Sequence, residues 1–293
     1  MRAFDVPEID YTRYSNRQLA AVPLAMLALA LAILGGWYLF TGMPVAAGIE
    51  FVGGSELRID TASDEAEIPG AFEEQPESIQ AVQAEQNSYI VQFTSTDETA
   101  LTDQAEANLE PLEGSDGVVQ SVSSTSASFG AQAQQTAILA LVAAFVGMSI
   151  LAFILFRTFV PSVAIVVSAF SDLMIPLAFM NLAGIPLTLG TVAALLMIIG
   201  YSVDSDILLN NSILRRSGGF YESANRAIRT GVTMTVTSMA AMLVMAITAT
   251  LFGVELLASI GLILFVGLAA DLMNTYLLNF SLLRWYKFEG VNR

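Results

Sequence analysis

The 293-residue chain contains no cysteine and no histidine. The first absence excludes a disulfide framework. The two together exclude Cys/His zinc sites and an imidazole proton relay, so carboxylates must do any titrating. Basic residues are scarce as well: eleven arginines and one lysine stand against 27 acidic residues, for a formal net charge of -15. No phosphate loop, nucleophile elbow or metal-ligand spacing occurs, and the nearest glycine pair, Gly53 and Gly54, is too short for a nucleotide fingerprint. Neither an enzyme nor a cofactor, metal or nucleic-acid partner is expected. The acidic balance fits two settings. One is a salt-rich habitat, in which exposed surfaces stay soluble through net negative charge. The other is a vestibule that attracts cations. At high ionic strength screening leaves long-range steering weak, which favours the halophilic reading.

What the chain has in abundance is apolar sequence: 55% of residues are apolar and 13% charged. The apolar residues fall in runs of about 20, the length that spans roughly 30 Å of hydrocarbon. Six transmembrane helices are expected, at 19–40, 136–156, 159–180, 185–209, 232–252 and 256–283. The first run lacks a small-residue cleavage site, so it reads as a retained helix and not a signal peptide. Six spans put both chain ends on one side of the bilayer. Eleven of the twelve basic residues fall on that side and only Arg58 opposite, while the short loops 183–186 and 253–255 carry none. Residues 1–18 and the tail 284–293 are therefore expected in the cytoplasm and 41–135 outside the cell membrane.

Segment 41–135 differs sharply in composition, with 17 of the 27 acidic residues and one arginine. Its pattern predicts a strand at 55–60, an acidic stretch, a polar helical region around 76–86, a strand at 88–94, a helix over 97–112 and a strand over 117–124. This is a small α+β domain whose element order suits a ferredoxin-like sandwich.

Four aspartates, Asp172, Asp204, Asp206 and Asp271, lie inside the apolar runs. A carboxylate at membrane depth costs several kcal/mol unless neutralised or hydrated, so acids there usually mark an ion or proton pathway. Helical rise places Asp172 and Asp204 roughly 16 Å, Asp271 about 20 Å and Asp206 roughly 13 Å from the cytoplasmic edge. No arginine or lysine shares that depth. The available partners are Ser171, Ser202, Ser205, Asn210, Asn211, Thr235, Thr237, Ser238, Asn274 and Thr275. The competing reading makes the aspartates structural interhelical hydrogen-bonding groups. Asp204 and Asp206 lie about 200° apart around a helix, so they cannot face the same groove. Asp204 shares a face with Gly200, Leu208 and Asn211, and Asp206 with Ser202 and Asn210. Asp204, the deeper, is expected to face the pathway.

Several of these segments carry a family resemblance. GIEFVGG at 48–54 resembles the GIDFTGG signature that follows the first span in the SecD/SecF family of the general secretory pathway. GYSVD at 200–204 resembles the fourth-span motif. ANRAIRTGVTMTVTS at 224–238 and the stretch 129–137 resemble SecF segments leading into spans five and two. The match covers most of the chain. Six spans with one modest external domain are nearer the SecF members than the SecD members, and VDSDILL looks archaeal. There are departures. Bacterial SecF usually carries an Asn-Asp pair in span four where Asp204 and Ser205 stand here, so the SecD-like aspartate maps onto Asp204 and the SecF one does not map. Ser171 and Asp172 resemble the family's His-Asp pair without the histidine.

The resemblance implies an accessory subunit of the Sec translocon. It would pair with SecD in a twelve-helix unit similar to resistance-nodulation-division transporters and act with a SecYE-type translocon on a translocating polypeptide. Protons or sodium ions crossing the bilayer through the helices would move the external domains, since each charge crossing 100 mV releases about 2.3 kcal/mol. Gly53 and Gly54, within a motif that begins at Gly48, would form a joint beneath the external domain, unless they only make a tight turn. Gly200 belongs to the fourth-span motif. Two alternatives stand beside this one: half of an efflux or lipid exporter of the same superfamily, and a non-transporting translocon assembly factor.

Overall fold

The computed structural model describes residues 11–82, 87–112, 115, 117–215 and 219–290. Most of the expected N-terminal segment, the end of the expected tail, residues 83–86 of the expected polar helix, and Arg2, Arg216 and Arg293 lie outside it. Among the described residues, six helices are long and apolar enough to cross a membrane. They are α1 (Asn16–Thr41), α4 (Ala127–Phe156), α5 (Phe159–Ala183), α6 (Leu189–Arg215), α7 (Phe220–Leu251) and α8 (Glu255–Met273). The last span runs on through π-helical turns at Asn274–Asn279, α9 (Phe280–Trp285) and a second π-helical stretch to Gly290. Between α1 and α4 lie a short helix α2 (Ile49–Val52), strands β1 (Gly54–Asp60), β2 (Ser78–Ala81) and β3 (Ser88–Phe93), helix α3 (Glu98–Asn108) and strand β4 (Val119–Thr125).

Several helices overrun the expected spans. α4 starts nine residues before 136 and α7 twelve before 232. Hydropathy detects only the part of a helix that lipid must solvate, whereas the helix itself runs on until its backbone is capped. For α4 that cap is Ser126, whose hydroxyl accepts from the Phe129 amide. α1 opens on a capping box, with Ser15 and Gln18 each taking the other's amide hydrogen. The tail expected at 284–293 is helical as far as Gly290, and Arg284 folds back on the chain start. Its guanidinium donates to the carbonyls of Tyr11 at 2.8 Å and Tyr14 at 2.7 Å and to the Asn16 side chain. Tyr11 packs against Phe280 with ring centroids 4.5 Å apart and planes tilted by 41°, and burial pushes its pKa up to about 12, so its hydroxyl stays protonated.

α5 and α6 are the central helices. Each is 56% buried over its apolar window, against 11% for α4 and 17% for α7, which turn broad apolar faces outward. The main membrane core joins Leu173, Ala178 and Met180 of α5 with Leu195, Ile198 and Ile199 of α6 and Ile263 and Leu264 of α8.

The external domain is a four-stranded antiparallel sheet in the order β2-β3-β1-β4. Counted from the β4 edge this is 4-1-3-2, the order of a ferredoxin-like sandwich. One face carries Leu57, Ile59, Val91 and Phe93, which pack on Leu101 and Ala105 of α3. The expected polar helix around 76–86 is corrected by the structure. Its described part is strand β2, where Ile79 alternates with Ser78 and Gln80 and pairs with Val91. The alternation has period two, and the polar residues belong to the open face of the sheet. The helix that would precede β2 in this fold is reduced to a 3₁₀ turn, Glu65–Ala71, which still delivers Ile68 and Ala71 to the core.

The motif at 48–54 forms the joint between the two parts. Gly48 donates to Leu187 O at 2.9 Å, and Leu187 donates back to Ala46 O at 2.7 Å, tying the segment to the start of α6. α2 then lies against α4 so closely that a Cβ at Gly130 would stand 2.7 Å from Phe51 O. Gly53 (φ +84°) and Gly54 (φ +135°) occupy the left-handed half of backbone space and turn the chain into β1.

Candidate functional site

α5, α6 and α8 bring three of the four membrane aspartates together, and the π-helical continuation of α8 supplies partners for them. Asp172, Asp206 and Asp271 are 0%, 0% and 2% exposed. Asp172 is held at both oxygens: Oδ2 accepts from the Ser202 hydroxyl at 2.6 Å and Oδ1 from Asn274 Nδ2 at 2.5 Å. Asp271 Oδ1 accepts from Ser205 at 2.7 Å and faces Thr275 Oγ1 at 3.1 Å. Asp206 Oδ1 accepts from Asn279 Nδ2 at 2.7 Å and from Thr275 Oγ1 at 2.9 Å. Thr275 has one hydroxyl proton, so it satisfies Asp206 or Asp271 but not both at once.

The π-helical turn has a definite part in this. Asn274 and Asn279 are five residues apart, the repeat of a π-turn, and each reaches a different carboxyl. Such turns are frequent at functional sites. Beyond these contacts the site holds several unpaired polar groups. Asp206 Oδ2 and the side-chain oxygens of Asn210, Asn274 and Asn279 are buried without a hydrogen-bond partner among the described residues. Ser171, beside Asp172, likewise has its hydroxyl buried and unpartnered. The sequence supplies no basic residue between 158 and 214 or between 230 and 283, so no ion pair can come from these spans.

Asp204, the aspartate expected to face the pathway, is not part of this cluster. Its side chain is exposed on the outer face of α6, with Gly200 and Tyr201, while the buried stripe of that helix runs through Ser202, Asp206, Leu209, Asn210 and Ile213. The reason is the angular offset already noted: turning Ser202 and Asn210 inward carries Asp206 with them and leaves Asp204 pointing out. Thr235 is buried on α7 without bonding a carboxyl. Thr237 donates to its own helix at Thr233 O. Sequence reasoning missed Asn279, although an asparagine pair at spacing five inside an apolar run was a readable signal.

The four motif glycines divide by their surroundings. A Cβ at Gly48 would stand 2.8 Å from Thr188 Cγ2, at Gly53 2.8 Å from the Ala127 backbone and at Gly54 2.2 Å from Phe93 O. At Gly200 it would meet nothing within 4 Å. Glu50, inside the motif, accepts from the Leu189 amide at 2.6 Å and so caps the first turn of α6.

Comparison with known proteins agrees with this architecture. The model of the family "Protein export membrane protein SecD/SecF, C-terminal" matches residues 104–289. Protein-export membrane protein SecF of Haloferax volcanii is 61% identical over the whole of both chains, and that of Haloquadratum walsbyi 59% identical, again over the whole of both. SecF of Methanolacinia petrolearia is 41% identical over 96% of this chain and 97% of its own. Two of these sources are haloarchaea, in keeping with the acidic, lysine-poor composition. Among solved structures, SecDF from Thermus thermophilus, described as a translocon-associated membrane protein, superposes with a TM-score of 0.72 at 20% identity. It is matched over 96% of this chain and 39% of its own. SecDF in a super-membrane-facing form gives 0.57 at 21% identity over 99% of this chain and 40% of its own. The chain thus spans about two fifths of the solved SecDF chains it matches, and at these identities they speak for the fold. With full-length relatives of this similarity and a family match over most of its membrane helices, the chain belongs to the SecD/SecF family of protein-export membrane proteins, among its SecF members.

Proposed function

We propose that this chain is the ion-coupled accessory half of a protein-export unit. It pairs with a SecD-type subunit beside a SecYE-type translocon and uses a proton or sodium gradient to favour movement of polypeptide across the membrane. One observation carries the coupling: three buried carboxyls, one on each of α5, α6 and α8, lie together with Thr275 facing two of them and no basic side chain at their depth. A proton or a small cation completes such a site. Its arrival and departure change which carboxyl holds Thr275, and with it the packing of α6 against α8.

The same helices reach the external domain. α6 begins at the Glu50 cap, and α8 begins at the α7–α8 turn, where Gly253 packs against Val82 beyond β2. Movement between α6 and α8 therefore bears on the sheet from two sides. The polypeptide is the object of that movement, and the lipid bilayer is the barrier across which the gradient stands.

The chain's orientation follows from the charges, with both termini in the cytoplasm and 41–135 outside. In the cysteine-free background a cysteine at Ser95, before α3, is expected to react with an impermeant thiol reagent added to intact cells. One at Glu222, on the first turn of α7, is expected to react only after lysis. The reverse pattern would invert the topology.

A second reading has one observation in its favour. Both oxygens of Asp172 are already bonded, as they would be in a purely structural network, and an assembly factor needs nothing more. Isolating the tagged chain from its native membrane and measuring export at imposed ion gradients separates the two. The coupled unit is expected to bring a SecD-type protein with it and to export faster as the gradient rises. A chain that copurified with the translocon but exported at a rate indifferent to the gradient would be an assembly factor. The efflux-half alternative has no observation in its support.

A further inference from the structure

We propose that Ile198, seated on Gly267, is the outer gate of the carboxylate site, sealing it from a vestibule beneath the external sheet. This rests on the ion-coupling reading above and adds to it the point at which access from outside is controlled.

A cavity of about 890 Å³ lies between the open face of the sheet and the outer ends of α5 to α8. Glu56 and Gln92 line its roof, Thr191 of α6 and Leu262 of α8 its floor, and Phe129, 60% exposed, its wall. From Thr191 to Ser202, the first polar residue of the cluster, is eleven residues, or roughly 16 Å of helix. From Leu262 to Asp271 is nine residues, or roughly 13 Å. Everything buried in that interval is apolar: Leu195 and Ile198 on α6, Ile263, Leu264 and Leu268 on α8, all 0–2% exposed.

The layer closes at one place. A Cβ at Gly267 would stand 2.4 Å from Ile198 Cδ1 and 2.7 Å from its Cγ1, so the isoleucine occupies the space that any other residue at 267 would fill. On the opposite side of the cluster, polar side chains continue instead: Ser168, Asn210, Asn279 and Ser281 are all buried. The site is thus bounded by a wholly apolar layer toward the vestibule, whereas toward the chain ends buried polar side chains are interleaved with apolar ones such as Leu209, Phe280 and Leu283. A narrow apolar constriction excludes ions because water leaves it, and it conducts once widened. Isoleucine suits the position, since its branched Cβ holds one rotamer in a helix and opening then requires the helices to part. A glycine opposite lets α6 and α8 meet closely when shut.

The test uses the full chain in its native membrane, with a reporter cysteine in place of Ser202 and a small impermeant cationic methanethiosulfonate added from outside. With Ile198 intact the reporter is expected to react slowly. A closed protein of this kind populates its open state at about 0.1–10%, so Ile198→Ala, and Gly267→Val, which displaces Ile198 without deleting it, should each raise the rate about tenfold or more. Ile199→Ala removes the same volume one position away and should not. If the alanine variant fails to assemble, Ile198→Val trims one methyl group and should give a smaller rise. Reaction of the Ser202→Cys reporter in the unaltered background as fast as a cysteine at Ser95 would overturn the gate. So would equal rates in all variants, or an Ile199→Ala effect as large as that of Ile198→Ala. Gating as expected in a chain whose export ignores the ion gradient would leave the gate standing and remove the ion coupling.

Discussion

Asp206→Asn is expected to abolish the gradient-dependent part of export while leaving the chain at normal abundance in the membrane. The geometry makes this substitution unusually clean. Asp206 accepts both of its side-chain hydrogen bonds at Oδ1, and Oδ2 has no partner among the described residues. An asparagine can keep its oxygen on Thr275 and Asn279 and turn its nitrogen into the free position. Only the capacity to exist in two charge states is lost. With no histidine in the chain, the groups nearby that could titrate in its place are Asp172 and Asp271, and these are held by donors of their own, Ser202 and Asn274 on one and Ser205 on the other. A charge crossing 100 mV is worth about 2.3 kcal/mol, which is a bias of roughly fifty-fold in a two-state equilibrium, and the variant forfeits it. Export of a secreted reporter, followed at a series of imposed potentials, should lose its slope. Normal gradient dependence in Asp206→Asn cells would make the carboxyl a structural group.

The other aspartates differ in what their variants can say. Asp172→Asn would set an amide nitrogen against Ser202 or Asn274, and a lost interhelical contact would mimic lost coupling. Asp204 is exposed and makes no side-chain hydrogen bond among the described residues, so the effect of Asp204→Asn should be smaller than that of Asp206→Asn. An equally severe effect would mean that a partner subunit buries Asp204 and recruits it.

Why Asp206 and not Asp204 points inward was partly legible. In a membrane helix the polar stripe faces the protein, because lipid cannot satisfy it. Ser202 and Asn210 share their stripe with Asp206, whereas Asp204 shares its own with Gly200 and Leu208. Counting depth from the end of the helix favoured Asp204, but depth says nothing about direction. The six spans were readable because hydropathy over about 20 residues is a strong signal. Their ends were not, since α4 and α7 begin with polar turns that precede the apolar stretch. In the external domain β1 and β3 followed from their alternation. β2 did not, because four residues, Ser78–Ala81, with one strong hydrophobe among them carry little pattern and are held by the register of β3. The Glu50 cap and the sharing of Thr275 join residues 139 and 69 positions apart, and no local pattern reports such pairs.

The motif glycines invite the second large effect. Gly54→Ala is expected to unfold the external domain, or to leave it so loosened that a protease cuts it in intact cells. Two terms add. At φ +135° the backbone lies where side chains are rarely tolerated, at about 1–3 kcal/mol. The new Cβ would also stand 2.2 Å from Phe93 O, a backbone atom of the neighbouring strand that cannot rotate away. Relief requires β1 to part from β3 at Ser55 and Phe93, the first pair of their ladder and the one nearest the joint. A small domain holds about 5–15 kcal/mol in all, so the combined loss is a large share of it. Gly70→Ala is the control within the same domain, because nothing lies within 4 Å of its Cβ and its φ is not in the left-handed region. It should leave proteolysis unchanged. If Gly53 and Gly54 act chiefly as a loose swivel, Gly54→Ala should stiffen the joint and slow export without exposing the domain to protease. If they are required by the close packing seen here, proteolysis should accelerate whether or not a gradient is imposed, and the carboxylate cluster, about one membrane half away, should still respond to Asp206→Asn in the surviving protein.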